Sequence, residues 1–206
     1  PPLPGRDIQL GIDANLQALG ERLMEGKLGA IVAIEPKTGQ ILAMVSSPTF
    51  DPRTMVGKLR GKHQKEMSLD PAKPLLNRAI MGQYPPGSTF KTSQAVTFYT
   101  EGILNDSTLY PCARGFSFKG LHVGCHPHGA PISLVPAIST SCNAYFCWGL
   151  YYMMGNRRKY PNVDAAMNRW RDYMVSMGFG YKLGVDLPGE KRGLIPNASF
   201  YDRAYH

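Results

Sequence analysis

Apolar residues recur along this chain with two different periods, and the periods divide it into elements. Leu16, Leu19 and Leu23 fall three and four apart between Asn15 and Glu25, the spacing of one helical face. Residues 29–34 and 41–46 are mostly apolar, and Pro36 and Gly39 between them carry turn chemistry, so residues 29 to 46 read as a β-hairpin. Asp7-Ile8-Gln9-Leu10-Gly11-Ile12 alternates polar and apolar like a short strand, and Pro1-Pro2-Leu3-Pro4-Gly5 before it reads as a connector. Residues 51 to 75 form a polar, partly helical excursion. A helix is expected from Ser88 to about Glu101, with Gly102 as its stop. Residues 105 to 130 read as loop, broken by glycine and proline. Ala144 to Met154 has so little polar face that a helix there should be buried on most sides. Val163 to Met177 has the pattern of an amphipathic helix. No internal repeat is visible.

Composition adds bounds. With 206 residues, 43% hydrophobic and 18% charged, the chain can bury a substantial core and should form one domain or a large part of one. No apolar run approaches about eighteen residues, so this sequence contains no transmembrane or secretory segment. The net charge of +8 gathers in Arg53 to Lys62 and in Arg157-Arg158-Lys159. A nucleic-acid module also needs a recognition motif or a stacking platform, and neither is present. The basic segments read instead as solvated surface, or as a patch facing anionic lipid and cell-wall polymer.

The candidate chemistry begins at Gln83-Tyr84-Pro85-Pro86-Gly87-Ser88-Thr89-Phe90-Lys91-Thr92. A serine at a helix start with a lysine three residues on places a hydroxyl and an amine on one face, within hydrogen-bond reach. Serine attacks only if a base takes its proton, and lysine serves as that base once burial or a second cation lowers its pKa. About fifty residues downstream stands Ser141-Cys142-Asn143, at the start of the apolar stretch. Alone, Ser-x-Asn is also an ordinary helix N-cap.

Together these segments resemble the penicillin-binding proteins, serine acyltransferases with the order Ser-x-x-Lys, Ser-x-Asn, Lys-Thr-Gly. The likeness extends to Gly29–Met44, Ser47-Pro48-Thr49-Phe50-Asp51-Pro52, Leu76-Asn77-Arg78-Ala79, Phe179-Gly180 and Leu183–Glu190. It is narrowest for the elongation-type members of class B, and suggests a Bacteroides-like source. The resemblance implies an α+β fold: a partial penicillin-binding-protein/serine β-lactamase-like transpeptidase domain, with an opening β-hairpin and a helical subdomain. Residues 1–28 would be a lead-in and 29–206 the first part of that domain. It also implies catalytic roles for Ser88, Lys91, Ser141 and Asn143, without a redox or nucleotide cofactor. Stem peptides ending in D-Ala-D-Ala, β-lactams, and elongation-complex proteins including a glycosyltransferase are the implied partners; nucleic acid is not. The expected location is the periplasmic face of the inner membrane, with an anchor preceding Pro1. A β-lactam sensor or serine β-lactamase is an alternative, though neither should carry the Leu183–Glu190 loop; a noncatalytic scaffold is another.

The third motif should follow Ser-x-Asn, and no such segment occurs before His206. The sequence Lys37-Thr38-Gly39 lies upstream, after Pro36 and between two strand-like runs, so it is assigned to a hairpin turn. The later sheet strands are therefore expected to be absent, and this piece alone to be inactive.

Cys112, Cys125 and Cys142 sit in or against the loop-rich stretch with His126 and His128. Cys112, Cys125, His128 and Cys142 could close a tetrahedral structural zinc site, with His126 the alternative imidazole. Some elongation-type relatives hold a metal next to the second motif through its middle residue, which the resemblance carries to Cys142. A Cys112–Cys125 disulfide or free thiols are the rivals. Cys147, on the apolar helix, is expected to be a buried core thiol.

Overall fold

Asp13 starts the first helix: its carboxylate accepts the Asn15 and Leu16 N–H groups at 2.9 and 3.0 Å, and α1 runs Ala14–Leu23. The computed structural model describes residues 5–205, so Pro1–Pro4 of the expected connector, and His206, lie outside it. Strands β1 (Gly29–Ile34) and β2 (Ile41–Ser47) pair antiparallel as the expected hairpin, with Gly29 opposite Ser47 and an irregularity at Ala33/Ile34. Lys37-Thr38-Gly39 is its turn. The Glu35 carboxylate accepts the Lys37 and Thr38 N–H groups and the Thr38 hydroxyl, and Gly39 takes φ +77°.

Helix α1 packs flush on β2 because residue 20 is glycine; a Cβ there would lie 2.8 Å from Val45 Cγ2. The Gln17 amide then donates to the Met44 carbonyl (3.0 Å) and accepts its N–H (2.8 Å), satisfying an edge-strand residue as another peptide would. The strand expected over Asp7–Ile12 does not form. The Asp13 N–H reaches the Leu42 carbonyl at 2.9 Å, but Ile8 and Leu10 remain 82% and 70% exposed. The alternation has no second surface to bury against. The polar excursion contains a 3-10 turn at Pro52–Met55 and α2 (Arg60–Leu69), which has no buried residue; α3 (Arg78–Met81) follows, capped by Asn77.

Backbone contacts divide the chain into two units, one taking residues up to Gln83 with Val185–Lys191, the other Tyr84–Gly184 with the remainder. The second unit is built around α4 (Lys91–Thr100), α5 (Leu134–Ser139), α6 (Asn143–Gly155), α7 (Val163–Ser176) and α8 (Ala198–Tyr205). Phe98, Tyr145, Met153 and Met174 are fully buried in its core. Gly149 lets α6 meet α4, since a Cβ there would stand 2.6 Å from the Phe98 ring. The buried face of α6 runs through Ala144, Tyr145, Phe146, Gly149 and Met153. Only Tyr151, Tyr152 and Gly155 of this helix are exposed, and Cys147, Trp148, Leu150 and Met154 pack partly buried against the core, so it is covered on most sides as expected; Cys147, one position past Phe146, is half-buried rather than buried.

A second hairpin, α5 and the last helix were not anticipated. Within the expected loop, β3 (Gly115–Phe118) and β4 (Leu121–Gly124) form a second antiparallel hairpin against α6. Its two-residue turn, Lys119-Gly120, has positive φ at both positions, +44° and +84°, as a type I′ turn requires. Near the end of the chain, α8 packs on α7, and Asn168 Oδ1 accepts the Ala198 N–H at 3.3 Å.

Glu101 closes the end of α4. Its side chain is 1% exposed and receives Tyr173 Oη (2.6 Å), Arg169 Nε (3.0 Å), Tyr160 Oη and Lys159 Nζ. Burial opposes the charge, but these four donors outweigh it and hold the carboxyl at about 2. No helix among the described residues is long and apolar enough to cross a membrane.

Candidate active site

Ser88 sits in a 3-10 turn, Gly87–Phe90, that runs directly into α4, rather than in the α-helix itself. The tighter winding brings residues i and i+3 into line. Lys91 Nζ therefore lies 3.2 Å from Ser88 Oγ. The same amine donates to Ser141 Oγ at 2.8 Å and to the Ser141 carbonyl at 2.6 Å, and Ser141 Oγ donates to Ser88 Oγ at 2.9 Å. Two serines and a lysine from distant segments thus close a triangle. Burial lowers the Lys91 amine below its ordinary value, against the opposing pull of the nearby Cys125, Cys142 and Cys147 as thiolates.

Ser141 reaches this position through a helix ending. At the end of α5 the Ser141 N–H bonds the Ile138 carbonyl (3.1 Å) and the Cys142 N–H bonds the Ala137 carbonyl (2.9 Å). This is a Schellman motif, whose penultimate residue must be left-handed and is usually glycine. α4 ends identically with Gly102 (φ +69°) and α7 with Gly178 (φ +90°). At α5 the residue is Ser141, with φ +56°. A strained non-glycine residue thus stands where the hydroxyl is needed.

Asn143 opens α6, and the helix is capped by Cys142, whose sulfur accepts the Tyr145 N–H at 3.3 Å. Asn143 Nδ2 donates to the Gly124 carbonyl at 2.7 Å. The unanticipated hairpin therefore orients the amide, leaving Oδ1 to accept an N–H from outside. The signal for it was present in Phe116, Phe118, Leu121 and Val123 alternating about Lys119-Gly120. Lysine, where asparagine or aspartate is usual, obscured the turn.

Beside this triangle the ligand atoms of Cys112, Cys125, His128 and Cys142 lie within 4.8 Å of one another. All four cysteines of the chain are free thiols, so the Cys112–Cys125 disulfide is not formed. His126 is exposed and outside the cluster. His128 Nδ1 lies 2.7 Å from the Gly129 carbonyl, which fixes the proton there, and its Nε2 is buried without a partner. Cys125 Sγ accepts the Ala144 N–H at 3.2 Å and lies 3.9 Å from Cys142 Sγ. Burial pushes the Cys142 thiol up to about 12. Three sulfurs and an orphaned imidazole nitrogen, its ring oriented by a carbonyl, suit a structural zinc ion.

The profile described as "Penicillin binding protein transpeptidase domain" matches residues 29–205. The chain belongs to that family. Among relatives of the family, peptidoglycan D,D-transpeptidase MrdA of Acinetobacter baumannii is 39% identical over 95% of this chain. The chain spans 28% of that protein's length. Two solved transpeptidases share the architecture. One is penicillin-binding protein 2 of Helicobacter pylori in complex with MreC, with TM-score 0.79 and 26% identity, covering 93% of this chain and 34% of that one. The other is penicillin-binding protein A of Mycobacterium tuberculosis as a penicillin G acyl-enzyme, with TM-score 0.75 and 27% identity, covering 91% and 44%. The mixed helix and sheet fold is that of a penicillin-binding-protein transpeptidase domain in part, as the sequence implied.

Proposed function

We propose that this chain supplies the acylation half of an elongation-type peptidoglycan D,D-transpeptidase. The observation that carries the reading is the triangle of Ser88, Lys91 and Ser141. A neutral Lys91 has two N–H bonds and one lone pair. The Ser141 carbonyl and hydroxyl accept the two N–H bonds, which turns the lone pair toward Ser88. Ser88 Oγ attacks the penultimate D-alanine carbonyl as Lys91 takes its proton. The proton passes through Ser141 to the departing D-alanine nitrogen, leaving an ester on Ser88. An amine of a second stem peptide then attacks the ester, forming the cross-link and returning Ser88. Asn143 Oδ1 accepts an amide N–H of the stem and holds it in register. A β-lactam enters the same first step, in keeping with the penicillin G acyl-enzyme of the mycobacterial relative.

The same reading places zinc on Cys112, Cys125, His128 and Cys142. Bound there, it would supply folding free energy by crosslinking the loop of residues 112–128 to the start of α6. The relatives' functions support a periplasmic-side location and elongation-complex partners, the Helicobacter protein being solved with MreC. Incubating the whole protein that carries this chain with penicillin, followed by peptide mass spectrometry, should find the drug on Ser88. Label on another residue, or none, refutes the reading. Elemental analysis should find one zinc per chain, lost in Cys125→Ser; a metal-free protein rejects the zinc site.

A further inference from the structure

We propose that Phe179, just past the end of α7, is a positioning residue for the nucleophile: it seats the Phe90 ring, and through that ring holds the turn carrying Ser88 against Lys91. The proposal rests on the acyl-transfer reading above.

The turn has little else to hold it. Residues 84–89 are all exposed, Gly87–Phe90 has no buried residue, and Pro86 before it makes no side-chain cap bond. Phe90, half-buried, is the one side chain of the turn that packs on the hydrophobic core. In a 3-10 turn Ser88 and Lys91 share a face, and Phe90 falls on another. Its ring meets Phe179 edge-on, with centroids 5.3 Å apart at 73°, and Trp170 of α7 at 6.2 Å and 68°. Both partners are firmly placed. The Phe179 N–H closes the Schellman ending of α7 on the Met174 carbonyl at 3.1 Å, after Gly178 at φ +90°, and Trp170 is 8% exposed.

The tolerance at the serine is narrow. Ser88 Oγ stands 3.2 Å from Lys91 Nζ, the outer limit of the roughly 2.6–3.2 Å over which a general base acts. Lys91 cannot follow the serine outward, because the Ser141 hydroxyl and carbonyl hold its amine at 2.8 and 2.6 Å. An outward swing of the turn therefore separates base from nucleophile, and a displacement of about 1 Å can cost about a hundredfold in rate. Edge-on ring contacts are directional as well as apolar, so they resist that swing.

Stopped-flow acylation of the whole protein that carries this chain, over a range of penicillin concentrations, separates the dissociation constant of the first complex from the acylation rate constant. Phe179→Ala should lower the rate constant by about tenfold or more and leave the dissociation constant within about twofold. Phe179→Leu, which restores apolar volume without the ring edge, should slow acylation by about threefold. In a Phe90→Leu background either change should cost less than about twofold further, because both act through the same ring. Gly149→Ala, which strains the same core at Phe98 and away from the turn, should acylate at the parent rate. Parent rate constants in the folded Phe179 variants, losses that add to that of Phe90→Leu, a loss confined to the dissociation constant, or equal slowing in Gly149→Ala overturns the proposal. If Phe179→Ala does not fold, Phe179→Leu carries the same comparison. Penicillin labelling separates the two readings: if the parent protein is labelled on Ser88 and the Phe179 variants match its rate, only the positioning role falls, whereas label elsewhere overturns both.

Discussion

The backbone at residue 141 sets up an unusual comparison between alanine and glycine. Both Ser141→Ala and Ser141→Gly remove the hydroxyl that bridges Lys91 and Ser88, so they share that loss. They differ in the left-handed conformation, φ +56°, that the Schellman ending demands. A side chain there costs about 1–2 kcal/mol, which glycine avoids. Glycine loses more chain entropy on folding, by about 0.5–1 kcal/mol. The balance makes the glycine variant more stable than the alanine variant by about 1 kcal/mol, the reverse of the usual order inside helices. Both tryptophans of the chain, Trp148 and Trp170, lie in this unit, so urea unfolding followed by their fluorescence measures the relevant transition. Acylation should fall to a similar low level in both variants. Equal stability, or alanine the more stable, refutes the claim that residue 141 is strained.

Other expectations are direct. Glu101 carries a carboxyl held at about 2 against an ordinary 4.5, worth about 3 kcal/mol at roughly 1.4 kcal/mol per unit. Because the folded value is the lower one, this stability is complete above pH 4.5 and is lost as pH falls toward 2; acid titration of the unfolding midpoint should show the loss, and Glu101→Gln should flatten it. Gly149→Ala should destabilise this unit by about 1–3 kcal/mol, because the added methyl overlaps the Phe98 ring; an unchanged urea midpoint contradicts that packing. Chelation should lower the melting temperature of zinc-loaded protein but not of a Cys125→Ser variant, as calorimetry would record.

Local chemistry made part of this architecture legible. Pro36 and Gly39 between apolar runs identified the first hairpin and kept Lys37-Thr38-Gly39 out of the site. Ser88 and Lys91 were readable because their spacing already makes them neighbours, although the 3-10 winding that aligns them was not. Asp7–Ile12 misled because alternation signals a strand only where a partner offers a surface. The Lys119-Gly120 turn and α8 depend on packing against α6 and α7, which no local window contains. The choice of His128 over His126 also required coordinates, since the two residues differ only in which way the loop turns them.

Cys142 carries three duties in one atom: its sulfur caps α6, belongs to the thiol cluster, and stands between the two polar residues of the second motif. A mercury or silver ion captured by those sulfurs would disturb Ser141 and Asn143 without touching Ser88. Inactivation by thiophilic poisons, the usual fingerprint of a cysteine nucleophile, would in this molecule report damage to the frame around an alcohol.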